Sequence, residues 1–158
     1  WAQDMSFKPY LQFPPDFDLS FADFSLSSFR QSSWYDTYLP GAKFREAEFR
    51  RMKVYRSSLE RADFSQAHLE WTRFGICQIQ RAKFDKATLK RCSFKRCDLR
   101  EVSFRDADLD RTIFENSSLD GADFTGASFF EVVLDDVRYD AATKWPPGFK
   151  PGRNNRKR

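Results

Sequence analysis

The sequence predicts an all-β fold, a parallel β-solenoid of about six square coils with capped ends, and three observations carry this. Every fifth residue from Leu19 to Tyr139 is large and apolar, 25 positions without a break. The residue two places earlier, from Ala22 to Ala142, is Ala, Ser, Thr, Cys or Val, with Met52 the largest. Identities then recur at 20 residues rather than 10. Residues 24, 44, 64, 84, 104 and 124 are all Phe, and 19, 39, 59, 79, 99 and 119 are all Leu or Ile. The column at 34, 54, 74, 94, 114 and 134 runs Trp, Val, Phe, Phe, Phe, Leu, which a 10-residue period would have merged with the first.

Neither regular element tolerates a spacing of five. Five helical steps turn a side chain through roughly 140°, which scatters the apolar residues over every face. In a flat strand an odd step reverses the face each time. A chain that turns about 90° after each pentad satisfies the pattern, because each pentad then sends one large and one small side chain to a central axis. The stretch "RAKFDKATLKRCSFKRCDL" (81–99) shows it, with Phe84, Leu89, Phe94 and Leu99 each preceded two places earlier by Ala or Cys. Four pentads close a coil, and coils stack about 4.8 Å apart as parallel strands.

Composition agrees with a thin rod. Of 158 residues, one domain's length, 41% are hydrophobic and 32% charged, yet 18 are Phe. That balance gives much surface and little depth. No stretch approaches the roughly 20 apolar residues of a membrane span, and no signal-peptide pattern is visible. The chain begins at Trp1 rather than Met, which fits a processed form or a fragment from which a targeting segment has been removed. Along the chain, residues 1–18, with "FKPYLQFPPDF" at 7–17, read as an N-terminal cap over the open end of the stack. Residues 19–142 are the β-helix, with Pro40-Gly41 at a corner. Residues 143–152, with Trp145, Pro146, Pro147 and Phe149, read as the C-terminal cap, and "RNNRKR" (153–158) as a flexible basic tail.

Catalytic chemistry is not legible. The single His, His68, falls at an outward position, so neither a triad nor a zinc site can be assembled. Cys77, Cys92 and Cys97 occupy the small inward position, where Cys acts as a small hydrophobe. Cys77 and Cys97 should stack on adjacent coils, but parallel side chains have poor disulfide dihedrals, so free thiols are expected. The six Gly are scattered and form no phosphate loop. The sequence therefore predicts no enzyme, no cofactor and no metal.

Charge is more informative. Residues 41–105 hold 17 basic and 8 acidic side chains, a net of +9, whereas residues 106–143 hold 2 and 10, a net of −8. Six further basic residues and no acids lie in 144–158. Some of this predicts ion pairs between coils that fix register: Lys86 with Asp106, Lys90 with Asp110, Lys95 with Glu115, Arg100 with Asp120. The column Arg50, Glu70, Lys90, Asp110 alternates in sign likewise. Exposed pairs of this kind are individually weak.

Two outward columns resist that account. Trp71 stands with Arg51, Arg91 and Arg111, and Ile76 with Arg56 and Arg96; acids enter these columns toward their ends, as Glu131 beyond Arg111 and Asp36 before Arg56. Arg stacking on Trp71 is one local reading. An exposed Trp and Ile ringed by Arg is also the composition of a protein interface. A second outward apolar set, Ile113, Phe130 and Val133, lies near the acidic end and suggests a second partner unless a terminal segment covers it.

The blocks "ADFSQAHLE" (62–70), "AKFDKATLK" (82–90) and "ADFTGASFF" (122–130) resemble the pentapeptide-repeat proteins, whose pattern is roughly A-(D/N)-(L/F)-x-x, and the resemblance covers about 120 of the 158 residues. It implies a right-handed quadrilateral β-helix. The stretch "YDAATKWPPGF" (139–149) is similar to the end of cyanobacterial and plastid members. Together these readings give a non-catalytic protein-binding scaffold rod attached to a larger assembly. The specific expectation is a peripheral subunit or assembly factor of a photosynthetic membrane complex, soluble or peripheral, in plastid or thylakoid rather than cytoplasm. Some family members resemble DNA and bind type II topoisomerases, but such a mimic should be acidic along its length, and the middle here is at +9. Direct nucleic-acid binding by the basic middle and tail is a third reading, and it lacks the aromatic platforms that single strands require.

Overall fold

Corners are what the pentad spacing demands, and the backbone supplies them. From Phe21 to Asp136 every residue whose number ends in 1 or 6 has positive φ, as at Arg81 (60°), Arg91 (57°) and Gly41 (67°). At most of these corners the small inward amide donates to the large inward carbonyl three places earlier, Ala22 to Leu19 and Ala82 to Ile79 both at 3.1 Å. A bonded four-residue turn with positive φ at its third residue is a type II turn. The residues described in this computed structural model are 18–152 and the pair Arg156–Lys157.

The coils form a right-handed quadrilateral β-helix with no helix among the described residues. On one of the four faces the chain is extended enough to form strands: β1 (Ser33–Tyr35), β2 (Lys53–Tyr55), β3 (Arg73–Gly75), β4 (Ser93–Lys95), β5 (Ile113–Glu115) and β6 (Val133–Asp135). They pair in chain order as a six-stranded parallel sheet, always 20 residues apart, for example Phe74 with Phe94. Bridges on the other three faces keep the same interval, as in Lys83 with Ser103 and Thr88 with Asp108.

Inside, each column stacks on itself. Phe64 and Phe84 lie with ring centroids 4.8 Å apart and 1° between planes, and Phe74 and Phe94 at 4.8 Å and 3°. Neighbouring columns meet edge to face, Phe84 with Phe94 at 6.0 Å and 81°. Burying each Phe contributes about 1.5–3 kcal/mol, and such ring pairs add about 0.5–1.5 kcal/mol. The small positions close the remaining space with Ala or with short side chains that satisfy backbone carbonyls. Thr112 Oγ1 donates to Leu89 at 2.7 Å, Ser117 Oγ to Phe94 at 3.2 Å, and Cys92 Sγ to Leu69 at 2.6 Å. All three cysteines are buried and unpaired, and burial pushes the Cys92 and Cys97 thiols well above the ordinary range.

At the ends the structure departs from the sequence reading. Asp18, assigned above to the N-terminal cap, already bridges Tyr38 as part of the first coil, and the rest of that segment, 1–17, lies outside the described residues. At the other end the interval of 20 holds to Ser118 with Arg138 and then becomes 21, Asp123 with Lys144. Asp140 absorbs the extra residue: its Oδ1 accepts from the amides of Gly121 (2.9 Å), Ala142 (3.0 Å) and Thr143 (3.1 Å). Ala142, expected inward, is exposed, Thr143 takes its place, and Trp145 rather than residue 144 continues the Phe column, stacked on Phe124 at 5.1 Å and 4°. Phe149 then packs on Phe129 at 4.7 Å. In the tail that was expected to be flexible, β8 (Arg156–Lys157) pairs in parallel with β7 (Arg138–Tyr139).

The ion pairs also differ in part. Lys95 meets Glu115 at 2.8 Å and Arg50 meets Glu70 at 2.6 Å, straight across one coil. Lys90 instead takes Asp108 at 2.8 Å, because Asp110 is held by the Ser128 hydroxyl. Arg100 turns back to Asp98 in its own coil at 2.7 Å while Asp120 accepts from Ser118. Lys86 and Asp106 form no ion pair; the Asp106 carboxylate lies over Gly126. Asp108 and Asp98 are also pinned by their own turns, each accepting from the amide two residues on, which holds the carboxylate in reach of the cation. Burial opposes ionisation of Asp63, yet Ser65, by side chain and amide, and then Arg45 hold its carboxyl below the ordinary range.

Because Phe84 is fully buried between Phe64 and Phe104, Phe84→Ala should destabilise the fold by roughly 3–5 kcal/mol in denaturant unfolding. A loss below about 1 kcal/mol would contradict the stacked-column core.

Candidate functional site

The six-stranded face and the two corner rows that border it gather most of the residues singled out above. On the third coil Trp71 and Ile76 stand at the two corners, with β3 between them. One coil before come Arg51, Lys53, Tyr55 and Arg56, and one coil after come Arg91, Lys95 and Arg96, all exposed. Lys53 and Arg73 are register partners on the face, as are Tyr55 and Gly75.

Trp71 is 48% exposed and Ile76 43%. The Arg91 guanidinium lies over the Trp71 ring, 4.5 Å from its centroid. Both apolar residues sit in left-handed backbone, Trp71 at φ 62° and Ile76 at φ 54°. Glycine takes that conformation freely, and Asn and Asp take it more cheaply than other side chains; a β-branched residue there is an outlier. Ile76 therefore carries backbone strain without the compensation of full burial.

The cations divide into two groups. Arg56 is held by Asp36 at 2.7 Å, which keeps the guanidinium above its ordinary pKa through the hydrogen bond and the charge of that carboxylate. Arg111 is held by Glu131 at 2.7 Å and Lys95 by Glu115. Among the described residues no carboxylate pairs with Arg51, Lys53, Arg73, Arg91 or Arg96. Glu70, the acid nearest to Trp71 in sequence, is occupied by Arg50. The Trp71 ring borders several grooves. One, about 340 Å³, is lined by Arg51, Met52, Lys53 and Arg73. Another, about 370 Å³, runs from Glu70 past Lys90, Arg91, Asp110 and Arg111 to Phe130. A third, about 300 Å³, lies between Arg30, Gln31, Arg50, Arg51 and Glu70.

Phe130 thus joins the Trp71 groove rather than standing apart: the Arg111 guanidinium lies over its ring at 5.9 Å. Ile113 and Val133 are register partners on β5 and β6, 40% and 47% exposed, at the acidic end of the same face. The sequence reading missed Lys53 and Arg73, and with them an aromatic pair, Tyr35 and Tyr55, whose rings lie 6.3 Å apart. Gly75 makes room for that pair, since a Cβ there would collide with the Tyr55 ring. The 20-residue column Tyr35, Tyr55, Gly75 was the available signal. His68 is exposed, and no group of side chains able to hold a metal occurs among the described residues. No helix among them is long and apolar enough to cross a membrane.

The family model for Pentapeptide repeats matches this chain with 8 copies, over residues 22–61, 42–75, 77–116 and 114–138. The chain belongs to the pentapeptide-repeat family. Among solved structures it is similar to full-length QnrB1, a plasmid-mediated fluoroquinolone resistance protein, at 27% identity and a TM-score of 0.65. That match covers 69% of this chain and 60% of QnrB1, so the chain spans less than two thirds of that protein. It also shares its fold with Rfr23 from the cyanobacterium Cyanothece 51142, at 15% identity and a TM-score of 0.51, over 87% of this chain and 91% of that one. No curated protein matches it.

If Ile76 is retained for contact rather than for the fold, Ile76→Asn should leave the rod folded and raise its stability by about 1 kcal/mol in denaturant unfolding. A loss of more than about 1 kcal/mol would show that Ile76 packs as part of the core.

Proposed function

We propose that this chain is a non-catalytic docking rod that binds a protein partner through the face around Trp71. The observation that carries the reading is the third coil: an exposed Trp and a strained, exposed Ile at its two corners, surrounded by Arg51, Arg91 and Arg96, which form no ion pair among the described residues. Aromatic and Arg anchors with exposed apolar neighbours are the usual energetic centre of a protein interface. The coils beneath hold those anchors in place before any partner arrives, so little ordering cost falls on binding. Ile113 and Val133, a coil or more away along the same face, supply a second contact area. The finer reading is a peripheral subunit or assembly factor of a photosynthetic membrane complex, in plastid or thylakoid. It is supported by the likeness of residues 139–149 to the ends of cyanobacterial and plastid family members.

A second reading, a topoisomerase-binding DNA mimic, is favoured by the similarity to QnrB1. The net charge of +9 over residues 41–105 opposes it, since a mimic of a polyanion needs acids where this rod carries Arg and Lys.

Affinity capture from the native source, with wild type and Trp71→Ala compared quantitatively, separates the readings. The docking reading expects Trp71→Ala to keep its thermal transition while attachment weakens at least tenfold, about 1.4 kcal/mol. Arg91→Glu should weaken it too, with an added dependence on salt. Normal binding by both variants, with attachment abolished by deletion of 153–158, would make the tail the recognition element and refute the site. Recovery of a type II topoisomerase by wild type and Trp71→Ala alike would favour the mimic.

A further inference from the structure

We infer that the occupant of this face is a short acidic protein segment carrying one aromatic or aliphatic anchor. The inference rests on the docking reading and names the chemistry of its partner. Lys53 and Arg73 are direct register partners on the parallel ladder, and like charges so placed repel. Part of the rod's charge is resolved across coils, as Lys95 is with Glu115 and Arg81 with Glu101, while Lys43, Arg61, Lys83 and Lys86 form no ion pair among the described residues. Around Trp71 the unpaired cations are clustered: among the described residues Arg51, Lys53, Arg73, Arg91 and Arg96 form no ion pair, while the neighbouring acids Asp36, Glu70 and Glu115 are each engaged by another cation. Five cations on three successive coils are complementary to a cluster of three or four carboxylates. The groove between Arg51, Lys53 and Arg73, with Met52 below and the Trp71 ring as its wall, takes the anchor.

The extent of the patch disfavours a duplex lying along the rod. Three coils span about 10 Å. One turn of duplex is about 34 Å long, so a duplex lying along the rod would cross about seven coils. It would run over Glu115, Glu131 and Asp135 on the same face, in a segment whose net charge is −8. A compact acidic segment meets the five cations, and the acid beside Trp71, Glu70, is already paired with Arg50.

The test is selection of random twelve-residue displayed peptides on the full chain, followed by fluorescence anisotropy of the best binder, its Asp/Glu-to-Asn/Gln twin, and a labelled twenty-base-pair duplex. The inference expects binders with at least three Asp or Glu and one Phe, Trp or Leu. It expects the neutral twin to bind at least tenfold more weakly, and Arg73→Glu and Lys53→Gln each to weaken the acidic peptide, with Arg73→Glu costing at least tenfold. Arg73 and Lys53 are exposed, so an unchanged thermal transition shows that each variant is folded. Selection of neutral or basic peptides, no enrichment, acidic binders indifferent to Arg73→Glu, or tighter binding of the duplex would each overturn it. If any of these occurs while Trp71→Ala still weakens the native partner, the acidic-segment inference fails alone. If Trp71→Ala and Arg73→Glu both leave the native partner attached, the docking reading falls with it.

Discussion

Ring-on-ring stacking at one-coil intervals is the interaction on which the rest of this molecule depends. A Phe column repeats with centroids 4.8–5.2 Å apart through Phe44, Phe64, Phe84, Phe104 and Phe124. That distance matches the spacing of paired strands, so side-chain stacking and backbone pairing reinforce one register. An offset that is not a multiple of five would break the match of large inward residues with large ones. The one place where the interval changes shows how strict the requirement is. The extra residue before Lys144 is absorbed within the Asp140 turn, and Trp145 returns to the Phe column.

A core that narrow leaves the outward positions nearly independent of folding. Each corner needs positive φ but tolerates Arg, Lys, Glu or Gln, so the surface can be written with whatever a partner requires. The rod uses several of these positions to pair charges between coils, as at Arg56, Arg81 and Arg111, and around Trp71 it leaves Arg51, Arg91 and Arg96 without an ion pair among the described residues. Ile76 is the sharper signal there, because a β-branched side chain at φ 54° works against the fold while lending it little packing. An unfavourable corner beside an exposed Trp and unpaired cations is the feature on which the docking proposal rests.

How much of this was legible follows from which forces set each feature. The coil length, the inward columns and the corner positions were readable because one large and one small residue per pentad must meet the axis, a constraint that leaves no freedom in sequence. Ion pairing was readable only in part. Lys90 chose Asp108 over Asp110 and Arg100 chose Asp98 over Asp120, since a long flexible cation is directed by local turns and hydroxyls that a column diagram omits. Lys53 and Arg73 stand on the strand between two corners, so the corner columns that mark Trp71 and Ile76 do not mark them. The change of interval after Tyr139 was hidden by Ala142, a residue that fits the inward pattern and yet faces solvent.

A preformed docking face requires that the coils keep one register from end to end, and removal of a coil measures that directly. Deleting residues 81–100 takes out one full turn of twenty and joins positions that are equivalent in the stack. Deleting 81–98 removes two residues fewer and sets the large positions of one coil against the small positions of the next. Thermal unfolding of the two proteins should then differ: a single cooperative transition, at lower temperature than the parent, for the twenty-residue deletion, and no cooperative transition for the eighteen-residue one. Equal behaviour of the two, whether both fold or both fail, would contradict the account.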